Sequence, residues 1–484
     1  MAGAKERLYG GSPKKKRFLL LVALLLLTTI GVFDHNLLDF NEIAVAEMGR
    51  EFLDHHNWSI PTLNNQPFLE KPPLVYWTVA ISFKIFGVSD WVARIPTLLF
   101  AWGTFVFTYL LAKILYSRRP EFCEVASISC FVLGTSIGFF VVSRSILTDI
   151  GLCFFTTGAL YFLYRAFTGR GIWYAMVYLF MLGAFFSKGF VGFAIPILGF
   201  FVWVLWNRKW GEIIRSRFWI YIPLISIPII LWFISLANYP GENLKTFLIN
   251  NNFYRFFPVS REYRGGHEEP FYYYFIWLPA VFFPWIIFLV IGARDIWHQR
   301  RDPSLKFLLS CTSGLLFFFL AGTKREIYLI PFLPVLAIMI TWWFFERKKE
   351  KLAIILSSTT GVILLLLVLL FMPIINEKYT IRILYNKLAQ QVDSKTQLYG
   401  FRTQEVVDAA TPFYLGRYFK SISKEEDLAR IAKEETSKRV VVILLDEHSN
   451  KKRSEIVKKY FPYTILAGDV PMRRKMWVFS NLSR

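Results

Sequence analysis

The sequence predicts a polytopic α-helical membrane protein that ends in a small α/β domain. Three observations predict it. Apolar blocks recur at close to the ~20-residue length that crosses a bilayer, in a chain of 484 residues that is 55% hydrophobic. Lysine and arginine gather in short clusters between those blocks, the pattern that sets membrane topology. After about residue 374 the long apolar blocks stop, and short strand-like and helix-like segments replace them.

The spans expected from hydrophobicity are 18–33, 92–115, 122–142, 149–167, 172–187, 190–206, 218–238, 272–293, 305–322, 327–345 and 352–373, about 11 helices. The first follows "KKKR", and no small-residue cleavage site follows it, so it reads as a retained helix rather than a secretory leader. Leu74–Gly87 is apolar but short and contains Lys84, which suits an amphipathic helix in the interface. Charge supports that choice. With Leu74–Gly87 on the surface, the segments on the cytoplasmic side carry 22 Lys+Arg against 11 on the outer side before the final domain. If it spanned, the later basic loops would flip outward, against the positive-inside rule.

The expected organisation is a basic cytoplasmic N-terminus at 1–17, a membrane domain at 18–373 and an outer α/β domain at 374–484, with large outer loops at 34–91 and 239–271. The net charge of +21 is absorbed by these topological clusters, so no nucleic-acid partner is implied. The four cysteines (Cys123, Cys130, Cys153 and Cys311) lie in apolar segments without zinc spacing. In the final domain "RVVVILLD" and "KMWVFSN" read as strands, and "EEDLARIAKEE" and "SEIVKKYF" as helices. It has no Gly-rich phosphate loop and receives no chemistry.

The outer segments hold the polar groups of interest. "FDHNLLDFNEIAVAEMGREFLDHH" places Asp39, Asn41 and Glu42 just beyond the first span. Ile43, Val45, Ala46, Met48 and Phe52 then suggest an amphipathic helix lying along the membrane. A carboxylate here suits a general base; Asn41 as N-cap with Glu42 in the first turn is the structural alternative. "QPFLEKPPLVYW" sets Glu70 and Lys71 before Pro72 and Pro73, which stiffen the chain and direct it into a helix from Leu74. Here metal and phosphate binding compete with a loop-closing ion pair. Asp149, with Arg144 nearby, sits at the outer mouth of a helix, and Lys188 lies in a tight outer turn. Both have structural alternatives, a helix-start acid and a snorkelling lysine. "RGGHEEPFYYYF" brings Arg264, His267, Glu268 and Glu269 together. His267 with Glu70 would make a divalent-metal pair only if the two meet. Lys324 and Arg325 lie outside against the charge rule, followed by Tyr328, which points to an anionic headgroup. Acids, a histidine and cations on one membrane face suit a lipid-phosphate substrate.

The string "NEIAVAEMGREFLDHHNWSIPTLNNQPFLEKPPLVYW" resembles the first outer loop of bacterial C-type glycosyltransferases. The resemblance is to the 4-amino-4-deoxy-L-arabinose lipid A transferases within the protein O-mannosyltransferase superfamily. It continues through "RSILTDIGL", "SKGFVGFAIP", "GHEEPFYYYF" and "KREIYLIPFLP", roughly residues 18–345 in order. It implies a fold with interfacial helices in the first outer loop. It also implies a reaction on the periplasmic face of the inner membrane, in which a sugar leaves a polyprenyl (undecaprenyl) phosphate donor with inversion. The acceptor would be lipid A, another glycan or a protein. Relatives carry an Asp-Glu pair where this chain has Asn41-Glu42, so the resemblance offers Glu42 or Asp39 as base and Asp149 as second acid. It implies that Lys71, Lys188 and Arg325, with Tyr328 and Arg264, face the donor phosphate. It also implies that Glu70 and His267 hold a structural divalent metal, with zinc the candidate. A protein mannosyltransferase, a lipid-linked glycan flippase and a non-catalytic scaffold are the competing readings.

Overall fold

The computed structural model describes residues 13–38, 40–257, 268–378, 380–435, 438–447, 452–470 and 474–482. Three of the expected site residues, Asp39, Arg264 and His267, lie outside the described residues. The chain divides into two compact units: 1–30, 69–75 and 96–366 in the first, and 31–68, 76–95 and 367–484 in the second.

The first unit is helical. Among the described residues of the whole chain, six helices are long and apolar enough to cross a bilayer, and seven if one bent pair counts as a single span. Several expected spans agree closely, including Thr148–Thr168, Phe218–Asn238 and Glu326–Glu346. Others are broken. The stretch expected as one span at 272–293 is two helices, Tyr273–Val281 and Trp285–His298, turned by 113°. Pro284 at this break cannot continue the hydrogen-bond ladder. The stretch at 122–142 divides into Phe122–Gly134 and Ile137–Val142. Glu326–Glu346 is almost wholly enclosed by protein, whereas Phe218–Asn238 is mostly exposed. With no polar side to face water, the exposed helix suits lipid contact.

Local chemistry sets the turns that matter. Asp302 accepts hydrogen bonds from the Ser304 and Leu305 amides at 2.9 and 3.1 Å, with Pro303 in the first helical turn, the pattern of a strong N-cap. Trp173–Lys188 ends at Gly189, whose φ of 78° lies in the region open to glycine. A Cβ on Gly192 would lie 2.4 Å from the Ala184 carbonyl carbon, so the next helix, Val191–Asn207, packs backbone to backbone on its predecessor.

In the second unit the chain forms the helix Phe40–His55 and a short ribbon, β1 (Thr62–Leu63) against β2 (Gln66–Pro67). The helix Leu74–Phe86 begins where Pro72 and Pro73 predict; all but its first two residues belong to this unit. The expectation of a surface amphipathic helix at 40–55 is corrected. Glu42 to Gly49, Glu51 and Phe52 are all buried, and the helix packs on Glu405–Leu415. Helix starts at Phe40, so Asn41 lies inside the first turn rather than at the N-cap. Glu42 accepts the Leu38 amide at 3.0 Å instead.

The last part of this unit is an α/β sheet of five strands: β3 (Gln397–Phe401), β4 (Lys420–Ile422), β5 (Val440–Glu447), β6 (Tyr463–Val470) and β7 (Arg474–Ser480), in the order β4-β3-β5-β7-β6. β3 runs parallel to β4 and β5, while β7 is antiparallel to β5 and β6. Val440, Val442 and Leu444 project into a core with Phe401, Leu428 and Val457, the every-second-residue spacing of a strand.

Candidate functional site

A cavity of about 440 Å³ opens within the first unit, lined by Glu70, Lys71, Lys188, Asn251, Arg255 and Tyr328 together with several phenylalanines. Separate loops supply the polar groups. Asn251 donates to the Leu69 carbonyl at 2.9 Å, fastening the segment that follows Phe218–Asn238 to the chain before Glu70. The following turn is tied on its other side. Amides of Gly322 and Thr323 donate to the carbonyls of Phe256 and Arg255, each at 3.0 Å.

Four cations and two carboxylates act on one another here. Glu70 pairs with Arg255 at 3.0 Å. Asp149 and Lys188 form a buried ion pair, and the Lys188 ammonium also sits 4.1 Å from the centre of the Tyr328 ring, a cation–π contact. Lys71 is half-buried. Burial holds its ammonium below the usual lysine range, while Glu70 and Asp149 pull the other way and Arg325 and Arg255 add to the depression. Counting Lys71, Lys188, Arg255 and Arg325 against Glu70 and Asp149 gives four positive and two negative groups, a net of +2. That balance fits an anion with one or two charges, held by charge-assisted hydrogen bonds.

Most of the sequence-predicted donor residues therefore come together: Lys71, Lys188 and Tyr328 line the cavity, and the charge of Arg325 acts on Lys71. Asp149 reaches it through Lys188. Lys324, the sequence neighbour of Arg325, is buried and spends its ammonium on the carbonyls of Glu269 (3.0 Å) and Ala321 (2.6 Å). Arg144 likewise donates to the carbonyls of Ile30 (2.6 Å) and Leu27. Arg255, Asn251 and Asn252 were not anticipated; the run "NNNFYRFF" is the signal that could have found them.

Of the two residues expected to hold a metal, only Glu70 lies among the described residues. The carboxylate of Glu70 is engaged by Arg255. No group of three or more His, Cys, Asp or Glu able to hold an ion occurs among the described residues, and His267 lies outside them.

Glu42 lies in the second unit. It is 4% exposed, and its Oε2 accepts from Arg94 at 3.2 Å and from the Leu38 amide. Arg94 also donates to the carbonyls of His35 (2.7 Å) and Asn36 (2.8 Å). The ion pair thus braces the entry to the helix Phe40–His55.

Comparison with known proteins gives a consistent picture. Residues 70–235 match the dolichyl-phosphate-mannose-protein mannosyltransferase family. The chain is 26% identical over 318 residues to an undecaprenyl phosphate-alpha-4-amino-4-deoxy-L-arabinose arabinosyl transferase of Pseudomonas fluorescens, covering 63% of this chain and 55% of that protein. It is 24% identical over 307 residues to the enzyme of that name from Shewanella sediminis, covering 62% and 54%. The matched region thus spans about half the length of these curated relatives. Its fold is that of the crystal structure of ArnT from Cupriavidus metallidurans bound to undecaprenyl phosphate, with a TM-score of 0.80 at 15% identity over 98% of this chain and 99% of the other. The oligosaccharyltransferase of Archaeoglobus fulgidus is similar at a TM-score of 0.56 and 13% identity, over 94% and 70%.

Proposed function

We infer that this chain, a multi-pass membrane protein of the ArnT-like C-type glycosyltransferases, transfers a sugar from a polyprenyl phosphate donor to lipid A or a related glycolipid. The reaction takes place on the periplasmic face of a bacterial inner membrane. The observation that carries this reading is the cavity with a net charge of +2, walled by phenylalanines and lined by Lys71, Lys188 and Arg255. A lipid phosphate needs both features, cations for its head and apolar surface for its first isoprene units.

In this reading Lys71, Lys188 and Arg255 hold the donor phosphate and stabilise the charge it gains as the anomeric carbon–oxygen bond breaks. The acceptor oxygen attacks the opposite face of that carbon, so configuration inverts. The bonding electrons leave with polyprenyl phosphate, and the acceptor proton passes to a carboxylate. Asp149 orients Lys188, while Glu42, with Asp39 beside it in sequence, is the proposed base. The N-terminus is cytoplasmic and the α/β domain periplasmic, as the distribution of basic residues supports. The expected count of 11 spans belongs to the same proposal. It requires shorter apolar helices such as Phe122–Gly134 and Val191–Asn207 to cross as well.

The test is a reconstituted assay with polyprenyl-phosphate sugars and an outer-membrane lipid extract, followed by mass spectrometry. Donor loss matched by one new sugar mass on an acceptor, absent in Asp149→Asn, is the expected result. Saturable donor binding without any turnover would favour a lipid-linked glycan carrier and overturn the transferase.

A further inference from the structure

A second, chemically different cavity lies in the second unit. Its volume is about 470 Å³, and its walls come from residues 33–36, 88–91 and the 382–414 region. Two aromatic rings stand at it edge to face, Phe33 and Trp91, with centroids 5.9 Å apart. Both remain open to solvent, at 40% and 43%. Between them and the opposite wall lie planar polar side chains. Asp90 is buried and accepts from the Leu37 amide and from Arg382, each at 3.2 Å. Arg382 also donates to the Asn36 side chain at 2.9 Å. The Tyr414 ring lines the wall, and its buried hydroxyl has no hydrogen-bond partner among the described residues.

The charge balance separates this cavity from the first. Asp90 and Arg382 neutralise each other, and Asp34 leaves a net of −1 with His35 neutral. An anionic phosphate would be repelled rather than held. Hydroxyl-rich ligands suit it instead. A sugar ring offers an apolar face of C–H groups to aromatic side chains, and its hydroxyls both donate and accept. Asp, Asn and Arg side chains supply the matching acceptors and donors in fixed planes.

We propose that the Trp91–Asp90–Arg382 cavity is a saccharide-binding subsite that takes the sugar headgroup of the acceptor. The proposal rests on the transferase reading for the word acceptor, though saccharide binding itself does not. The back wall gives the subsite a link to chemistry. The carbonyls of His35 and Asn36 on its wall are held by Arg94, which in turn holds Glu42.

The test uses the full chain in phosphatidylglycerol-containing nanodiscs. Saturation-transfer NMR would measure binding of a lipid-free β-1,6-linked glucosamine disaccharide, and a parallel arm would use the same disaccharide carrying acyl chains. Wild type should bind both forms. Trp91→Ala and Asn386→Ala, both exposed residues of the cavity wall, should weaken both at least tenfold. Trp210→Ala, an exposed tryptophan of the first unit, should bind as wild type. In turnover, Trp91→Ala should raise the acceptor KM at least tenfold and leave polyprenyl phosphate affinity unchanged. Binding of the acylated form alone, unaffected by Trp91→Ala, would make Trp91 a membrane anchor and overturn the proposal. So would an absence of disaccharide binding while donor binding is intact. Loss of donor binding in wild type would instead overturn the transferase reading and leave the NMR result to judge the subsite.

Discussion

Replacing Lys71 with methionine tests the phosphate site most directly. Methionine keeps the length of the apolar stem and removes the ammonium, with its charge and its N–H donors. The cavity falls from a net of +2 to +1, with Lys188 still paired to Asp149 and Arg255 to Glu70. Lys71 makes no ion pair among the described residues, so it is the cation with least to lose by turning to a ligand. A hydrogen bond to a charged group contributes about 1.5–3 kcal/mol, and 1.4 kcal/mol is tenfold in affinity. Lys71→Met should therefore weaken binding of undecaprenyl phosphate by roughly 10–150-fold. Isothermal titration or ligand-dependent thermal stability in nanodiscs reads this out.

The same lysine predicts a pH dependence. Burial lowers its pKa, so it loses its proton at a lower pH than the ~10.4 of a free lysine. Phosphate binding favours the ammonium form. The lysine's contribution to affinity should be lost as pH rises through its lowered pKa. Lys71→Met should lack that pH dependence, and Lys71→Arg should restore affinity without it. Binding by Lys71→Met within threefold of wild type, with the pH dependence intact, would refute the phosphate role.

Three further outcomes are expected. Lys188→Met strands Asp149 in a buried site and should cost about 3–5 kcal/mol of stability; adding Asp149→Asn should recover part of that, measurable as a non-additive double-mutant cycle by thermal unfolding. Asn64→Ala removes two bonds, one to the Phe419 carbonyl at 3.1 Å and one from its amide at 3.2 Å, and should destabilise the second unit by about 2–4 kcal/mol through buried unsatisfied groups. Gly49→Ala would bring a Cβ to 2.6 Å from Val79 Cγ1 and should cost about 1–3 kcal/mol, seen as faster proteolysis of the first outer loop.

What the sequence revealed depended on how local the physics was. Pro72 and Pro73 fix the helix start at Leu74 because a proline constrains its own φ and the residue before it. The apolar stretches of several spans were legible for the same reason. The break near Pro284 was missed, although Pro279 and Pro284 both sit in the stretch expected as one span. The helix Phe40–His55 misled because the apolar residues Ile43, Val45, Ala46, Met48 and Phe52 suggested one buried face, whereas Glu47 and Glu51 are interior too. Both are fully buried, and Arg50 grips Glu47 through two nitrogens at 2.8 and 2.7 Å. The helix packs on Glu405–Leu415, some 360 residues later in the chain, a neighbour its own sequence does not announce. Arg255 escaped notice because it sits in an aromatic run, and its partner Glu70 is nearly two hundred residues away.

The two carboxylates singled out from the sequence are not equivalent, and their partners separate their roles. Asp149 acts on a lysine that lines the cationic cavity. Its loss should therefore be felt by the donor phosphate, through the position and charge of Lys188. Glu42 is joined through Arg94 to the carbonyls of His35 and Asn36, which border the polar cavity. Its loss should be felt on the acceptor side. Glu42→Gln keeps the hydrogen-bond acceptor and removes the charge. If Glu42 is the base, that substitution abolishes transfer while donor binding persists. If it only braces the loop, transfer survives at reduced acceptor affinity, and the proton must go elsewhere.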